Sequence, residues 1–293
     1  MLNKLLAFIV IIELLFLFIV NPSDNKKVNY KYSVNIYKPS DLDKAKLENY
    51  VIGVVAAEMP ATFSVESLKA QAVAARTFAY KKIINNKLDY NNLSTDKGQA
   101  YITVDEMKKK WGLKFDEYYK KIVNAVISTK NEIILYNDEV INAYYFSISN
   151  GKTEDSSYVF GDLNYLVSVE SPWDKNYSSY SDSVNMSFNE FKNKLGLIGN
   201  IKINNIKRTN TNHVEEIVIN NKKYTGVEFR KLLNLKSTDF EIEINDINIK
   251  ITTKGHGHGV GMSQYGANSM AIEGKNYEDI IKYYYKDVEI TKI

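Results

Sequence analysis

VIGVVAAEMPATFSVESLKAQAVAARTFAYKK, from Val51 to Lys82, reads as two helices divided at Pro60. The apolar residues ahead of Glu58 suit a buried helix turn, and proline disfavours helical geometry in the residue before it. Beyond the break, Ser64 is a suitable N-cap, and Ser67 to Lys82 has the Ala, Leu and Lys content of a strong helix. Leu68, Ala72, Ala75 and Ala79 recur at helical spacing, where small side chains let another element pack closely. Two charged residues stand in this apolar setting. A carboxyl such as Glu58 tends to have a raised pKa there, as a general acid requires. Arg76 is costly to bury alone, so it pairs with a carboxylate or binds an anion. A Glu58–Arg76 salt bridge is the purely structural alternative.

A second stretch, GHGHGVGMSQYGA from Gly255 to Ala267, places two of the three histidines among five glycines. Glycine allows positive φ and close approach of backbone to a ligand. The stretch follows a strand-like run, Ile247–Thr253, and leads into a helix with Ser263 as its N-cap. A Gly/His loop that opens a helix is a candidate site for an oxygen-rich ligand. His256 and His258, two apart, share a face if the chain is extended. A His-x-His pair is also a common metal half-site, but zinc needs further ligands. His213 is the remaining histidine, and no cysteine exists to complete such a set.

Outward from these stretches, the chain reads as a mixed α+β protein. Helices are expected over Asp41–Met59, Val65–Asn85, Val104–Trp111 and Asp116–Thr129, the last with Tyr119, Ile122, Val123 and Val126 on one side. Glu132–Tyr136 and Glu139–Phe146 read as a hairpin about Asn137-Asp138. Ser147–Gly151 is then a polar loop at a strand end, where functional residues commonly sit. From about 176 to 251 an insert-like region forms a second lobe. It has helices over Ser187–Leu195 and Gly226–Leu233, strands over Ile201–Arg208 and Val214–Ile219, and a turn at Asn220-Asn221. Tyr32–Tyr37 alternates weakly, as a leading strand does.

Composition bounds the function. The 293 residues, 44% hydrophobic, suffice for a substantial core. A net charge of +3 with scattered Lys and Arg gives no field for nucleic acid. Leu5–Val20 is apolar except for Glu13, and Lys4 precedes it, which predicts an uncleaved single-pass anchor with its N-terminus in the cytoplasm. The expected layout is an anchor over 1–21, a linker over 22–31 and an extracytoplasmic two-lobed domain over 32–293. Cleavage near Pro22 as a signal peptide is the alternative.

Both opening stretches resemble signature blocks of the stage II sporulation protein D family, the cell-wall lytic transglycosylases of endospore formers. Four further blocks match in order: STDKGQAY (Ser94–Tyr101), AYYFSISNGKTEDS (Ala143–Ser156), YLVSVESPWD (Tyr165–Asp174) and TGVEFRKLLNLKST (Thr225–Thr238). The likeness runs from about Tyr50 to the C-terminus. It implies cleavage of the β-1,4 bond between N-acetylmuramic acid and N-acetylglucosamine to give 1,6-anhydro ends, in remodelling of the septal wall during engulfment. The family's catalytic glutamate falls on Glu58. Arg76, Ser147, Ser149, His256, His258, Gln264 and Tyr265 are the candidate substrate-binding residues, with structural support as the alternative for each. The implied partners are peptidoglycan glycan strands, an amidase of the stage II sporulation protein P family and a membrane scaffold of the stage II sporulation protein M family.

One departure bears on metal. Some members carry cysteines and a histidine before the Gln-x-Tyr block and can hold zinc there. This chain has Leu93, Lys97 and Gly98 at the corresponding places, so no metal and no other cofactor is expected. Two competing classes remain: a glycan-binding enhancer of a cell-wall amidase, and a His-x-His metallohydrolase.

Overall fold

The computed structural model describes residues 40–85, 87–95 and 98–293. The expected anchor, the linker and the strand at Tyr32–Tyr37 lie outside the described residues. Among those described, no helix is long and apolar enough to cross a membrane.

Helix α1 (Asp41–Glu58) starts at Ser40, whose side chain accepts from the Asp43 N–H. Asp41 and Asp43 occupy its first turn, where the helix dipole favours negative charge. It ends at Glu58 because Met59, ahead of Pro60, is extended. Helix α2 (Val65–Ile84) runs through the centre of the first core, with Ala70, Ala72, Ala74, Ala75 and Ala79 fully buried. The expected Ser64 cap is not made by its side chain. Instead the Ser64 N–H donates to Asn268 Oδ1 at 2.8 Å, which ties the start of α2 to a helix 200 residues later.

Two shorter helices follow, α3 (Val104–Trp111) and α4 (Phe115–Ser128), and then strand β1 (Glu132–Tyr136). Thr77 on α2 fastens β1, its Oγ1 accepting from the Ile134 N–H at 3.0 Å. Asn137 and Asp138 both take positive φ, as a two-residue hairpin turn requires. The return strand is shorter than expected. β2 covers only Glu139–Val140, and the chain leaves β1 after Ile141, whose N–H donates to the Ile134 carbonyl. Tyr145–Phe146 forms β3, which pairs in parallel with Met262–Ser263 rather than with the hairpin. Tertiary pairing thus divides a run that sequence alternation reads as one strand.

A second hydrophobic core, around Phe191, Phe229 and Phe240, is drawn from Met186 to Ile251. Its elements are β4 (Ser181–Met186), α5 (Phe188–Leu195), β5 (Ile203–Arg208), β6 (Val214–Ile219), β7 (Lys222–Thr225), α6 (Gly226–Leu233), β8 (Asp239–Ile244) and β9 (Ile249–Lys254). They form two antiparallel sheets, ordered β4-β9-β8 and β5-β6-β7. Asn220 and Asn221 make the expected turn with positive φ. The chain then returns to the first core through β10 (Met262–Ser263), α7 (Gln264–Ile272), α8 (Tyr277–Tyr284) and β11 (Glu289–Lys292), which pairs with β1.

Candidate active site

Glu58 is the last residue of α1, so its side chain emerges where the helix stops. It is half-buried and walls a cavity of about 330 Å³ together with Gln99, Tyr144, Tyr145, Phe160 and His258. One carboxylate oxygen accepts from the Ala100 N–H at 2.8 Å, and the Gln264 side chain supplies a second hydrogen bond. Burial raises the Glu58 pKa, and these two hydrogen bonds only partly oppose it. The group therefore keeps its proton to higher pH than an ordinary carboxyl, the property a general acid needs.

A glycine sets the Ala100 contact. Gly53 lies in the interior of α1, where glycine costs roughly 1 kcal/mol relative to alanine. A Cβ there would drive into the Tyr101 ring and lie 2.8 Å from the Ile102 carbonyl oxygen. Its absence lets residues 101–102 lie against the helix, with the Ile102 N–H bonded to the Gly53 carbonyl. That close approach delivers the Ala100 N–H to Glu58.

Beside the carboxyl runs a polar chain. Tyr50 donates to Gln99 Oε1, and Gln99 Nε2 donates to the Tyr145 hydroxyl at 2.9 Å. Burial and the nearby Glu58 charge hold the Tyr145 hydroxyl well above its usual pKa, so it stays protonated. Tyr144 and Phe160 stack with centroids 4.0 Å apart, giving the cavity an aromatic wall. Gln99, Tyr144, Tyr145 and Phe160 are not singled out by sequence reasoning. The signal available for them is their position in or beside the blocks Ser94–Tyr101 and Ala143–Ser156.

The glycine loop reaches this cavity through one of its two histidines. Positive φ at Gly255, Gly257, Gly259 and Gly261 carries the chain from β9 to β10. His258 packs against Phe146 and Phe160, with Nδ1 accepting from the Val260 N–H at 3.1 Å. Burial, with the Arg230 charge, lowers its pKa to about 4, so the imidazole is neutral near pH 7. His256 does not share its face. Gly257, at φ +121°, breaks the extended geometry between them, and His256 instead exchanges backbone hydrogen bonds with Ile148. Ser263 caps α7 as expected, accepting from the Gly266 N–H. Gln264, the first residue of that helix, reaches both Glu58 and Gln71.

Two of the sequence candidates need correction. Arg76 is fully buried and forks onto Glu48, not Glu58, at 2.8 and 2.7 Å. Two further donors go to the Val126 and Glu132 carbonyls, so the buried side chain pins α1 to α2 and has no access to a ligand. Ser149 is likewise buried. Its N–H donates to Asp174 and its Oγ accepts from the Gly151 N–H. Asp174 also accepts from Ser171 and Ser263, making this a structural knot under the loop. Ser147, His256 and Tyr265 are half-buried and do not wall the Glu58 cavity. The Tyr265 ring is held edge-on between Phe63 and Tyr177.

These features define a mixed α+β protein with a cavity walled by a half-buried acid, between the end of a helix and a glycine loop. A family model described as stage II sporulation protein matches residues 38–136. The chain is 44% identical to stage II sporulation protein D of Bacillus subtilis, over 89% of this chain and 79% of that protein. It is 44% identical to the Bacillus amyloliquefaciens protein of the same name, with the same coverage. An amidase enhancer of Bacillus subtilis is 28% identical, over 82% of this chain and 40% of that protein. The chain belongs to the stage II sporulation protein D family.

Proposed function

We propose that this chain is a peptidoglycan lytic transglycosylase that uses Glu58 as its single acid/base. One observation carries the reading: among the residues walling the cavity Glu58 is the sole carboxyl, and its pKa is raised by burial. Glycoside hydrolysis by water ordinarily needs two carboxyl groups. Lytic transglycosylation needs one. The protonated Glu58 gives its proton to the glycosidic oxygen as the bond from C1 of the muramic acid breaks. The carboxylate then takes the proton of the C6 hydroxyl as that oxygen bonds to C1, closing the 1,6-anhydro ring. The Ala100 N–H and Gln264 steady the carboxylate between the two steps, and the aromatic wall seats the sugar. His258, which walls the cavity, and Gln264, which reaches Glu58, are the substrate-side candidates that this reading retains.

The same reading gives the chain a place at the septal wall, held by Leu5–Val20 as a single-pass anchor, with a stem-peptide amidase and a membrane scaffold as partners. The amidase-enhancer relative favours a second reading, in which the cavity binds glycan without cutting it. Incubating the protein with glycan strands stripped of stem peptides, followed by mass spectrometry, separates the two. Anhydro-muramic acid ends support the lyase. Binding without new ends supports the enhancer.

A further inference from the structure

A second cavity, of about 290 Å³, lies next to the first and is bordered by Tyr158, Val159, Thr209, Lys223, Thr225 and Val227. One segment walls both, and a second packs between the residues that line them. In the first, Phe160 faces the Glu58 cavity while Tyr158 and Val159 face the second. In the second, His258 walls the Glu58 cavity, and the next residue, Gly259, backs onto the second. The Gly259 carbonyl accepts from the Glu154 N–H at 2.7 Å. A Cβ on Gly259, at φ +85°, would sit 3.1 Å from the His213 ring and 3.2 Å from Glu154 Cβ. Only glycine makes so thin a partition.

The partition is rigid. The Glu154 carboxylate accepts from Thr209 and Thr211, both at 2.6 Å, and from the Asp155 N–H. His213 is fixed through Nδ1 to Thr238 at 2.7 Å. The segment between the two cavities carries two partly exposed aromatic side chains, Tyr158 at 42% exposure and Phe160, stacked on Tyr144, at 39%. Their Cα atoms are at most about 7 Å apart, since they are two residues apart in sequence. Charges at the rim are already matched, Lys207 with Glu215 and Lys223 with Glu216. A rim of paired charges with threonines between them suits a neutral ligand rich in hydroxyl and amide groups better than an ion.

We infer that the second cavity takes a further sugar of the strand whose scissile bond lies at Glu58, with the chain crossing on Phe160 and Tyr158. This extension rests on the Glu58 cavity being a glycan site. Aromatic faces supply apolar area for the C–H faces of sugars while the rim satisfies their polar groups.

The test uses the full-length chain carrying Glu58→Gln, in detergent, with N-acetylglucosamine oligomers of two to six units as probes in calorimetry. Affinity is expected to rise with length. Adding Tyr158→Ala should weaken the hexamer about tenfold and leave the shortest oligomer that binds unchanged. Val227→Trp, which plugs the second cavity from an exposed position, should do the same. If both variants bind the hexamer as tightly as the Glu58→Gln parent, the second cavity is not a sugar site, while the reading of the first stands. If no oligomer binds the Glu58→Gln chain at all, the reading of the first cavity fails and the extension falls with it.

Discussion

Replacing Arg76 with methionine should destabilise the fold without removing any group that meets a glycan. The guanidinium is fully buried and makes four hydrogen bonds, two to Glu48 and two to backbone carbonyls. Methionine fills much of the volume but leaves Glu48 as a buried carboxylate whose remaining donor is the Asn131 N–H. Breaking one side of such a pair costs about 3–5 kcal/mol. That is a large share of the roughly 5–15 kcal/mol that holds a domain together. At this chain length it lowers the melting temperature by roughly 10 °C. The damage is remote from the chemistry. Glu48 precedes Glu58 by ten residues, about 15 Å along the helix at 1.5 Å per residue. Urea unfolding of parent, Arg76→Met, Glu48→Gln and the double variant gives the coupling directly. The double variant should lose less than the two singles added together, because removing both partners leaves no orphaned charge. Cleavage per folded molecule, measured well below the melting temperature, should stay close to the parent's. An Arg76→Met protein as stable as the parent but unable to cut would refute the structural role and return Arg76 to the substrate.

Three further outcomes follow from the site. Glu58→Gln should lower cleavage by at least about 10²–10⁴-fold, and it should also remove the unfavourable ionisation of a carboxyl with a raised folded-state pKa. That penalty is present above the folded pKa and vanishes below the unfolded one. Any gain in melting temperature of Glu58→Gln should therefore shrink as pH falls through the ordinary carboxylate range, and a gain that grows on acidification would contradict the burial. Gly53→Ala should destabilise by about 1–3 kcal/mol despite alanine's better helix propensity, and it should impair cleavage by displacing the Ala100 N–H; a neutral or stabilising effect in chemical unfolding would rule out the close approach. His258→Asn should flatten the acid limb of the stability curve. The folded-state pKa of His258 is lowered from 6.5 to about 4, so its contribution is intact above pH 6.5 and is lost as pH falls towards 4, by on the order of 3 kcal/mol. A parent-minus-variant difference that stays constant between pH 7 and pH 4 would mean that His258 titrates normally.

How far the sequence reaches can be judged residue by residue. Helix limits around Pro60, the Asn137-Asp138 and Asn220-Asn221 turns, and the Ser263 cap are local matters, set by φ restrictions and short-range hydrogen bonds. They are legible without a fold. The same holds for Glu58, because an acid inside an apolar run is a local anomaly. Partner choice is not local. A buried arginine must find a carboxylate, but whether Glu48 or Glu58 answers it depends on how α1 lies across α2. Period-two alternation cannot show that Tyr145–Phe146 leaves its hairpin for Met262–Ser263, because a parallel partner more than 100 residues away carries no trace in the strand itself. Nor can spacing alone separate His256 from His258, since a single positive φ at Gly257 turns one towards the cavity and the other towards Ile148. The sequence by itself determined the helix limits at Pro60, the two-residue turns and the presence of an acid, Glu58, in an apolar run. Only the tertiary structure decided which polar groups converge on that acid, because convergence is a property of packing between segments that lie far apart along the chain.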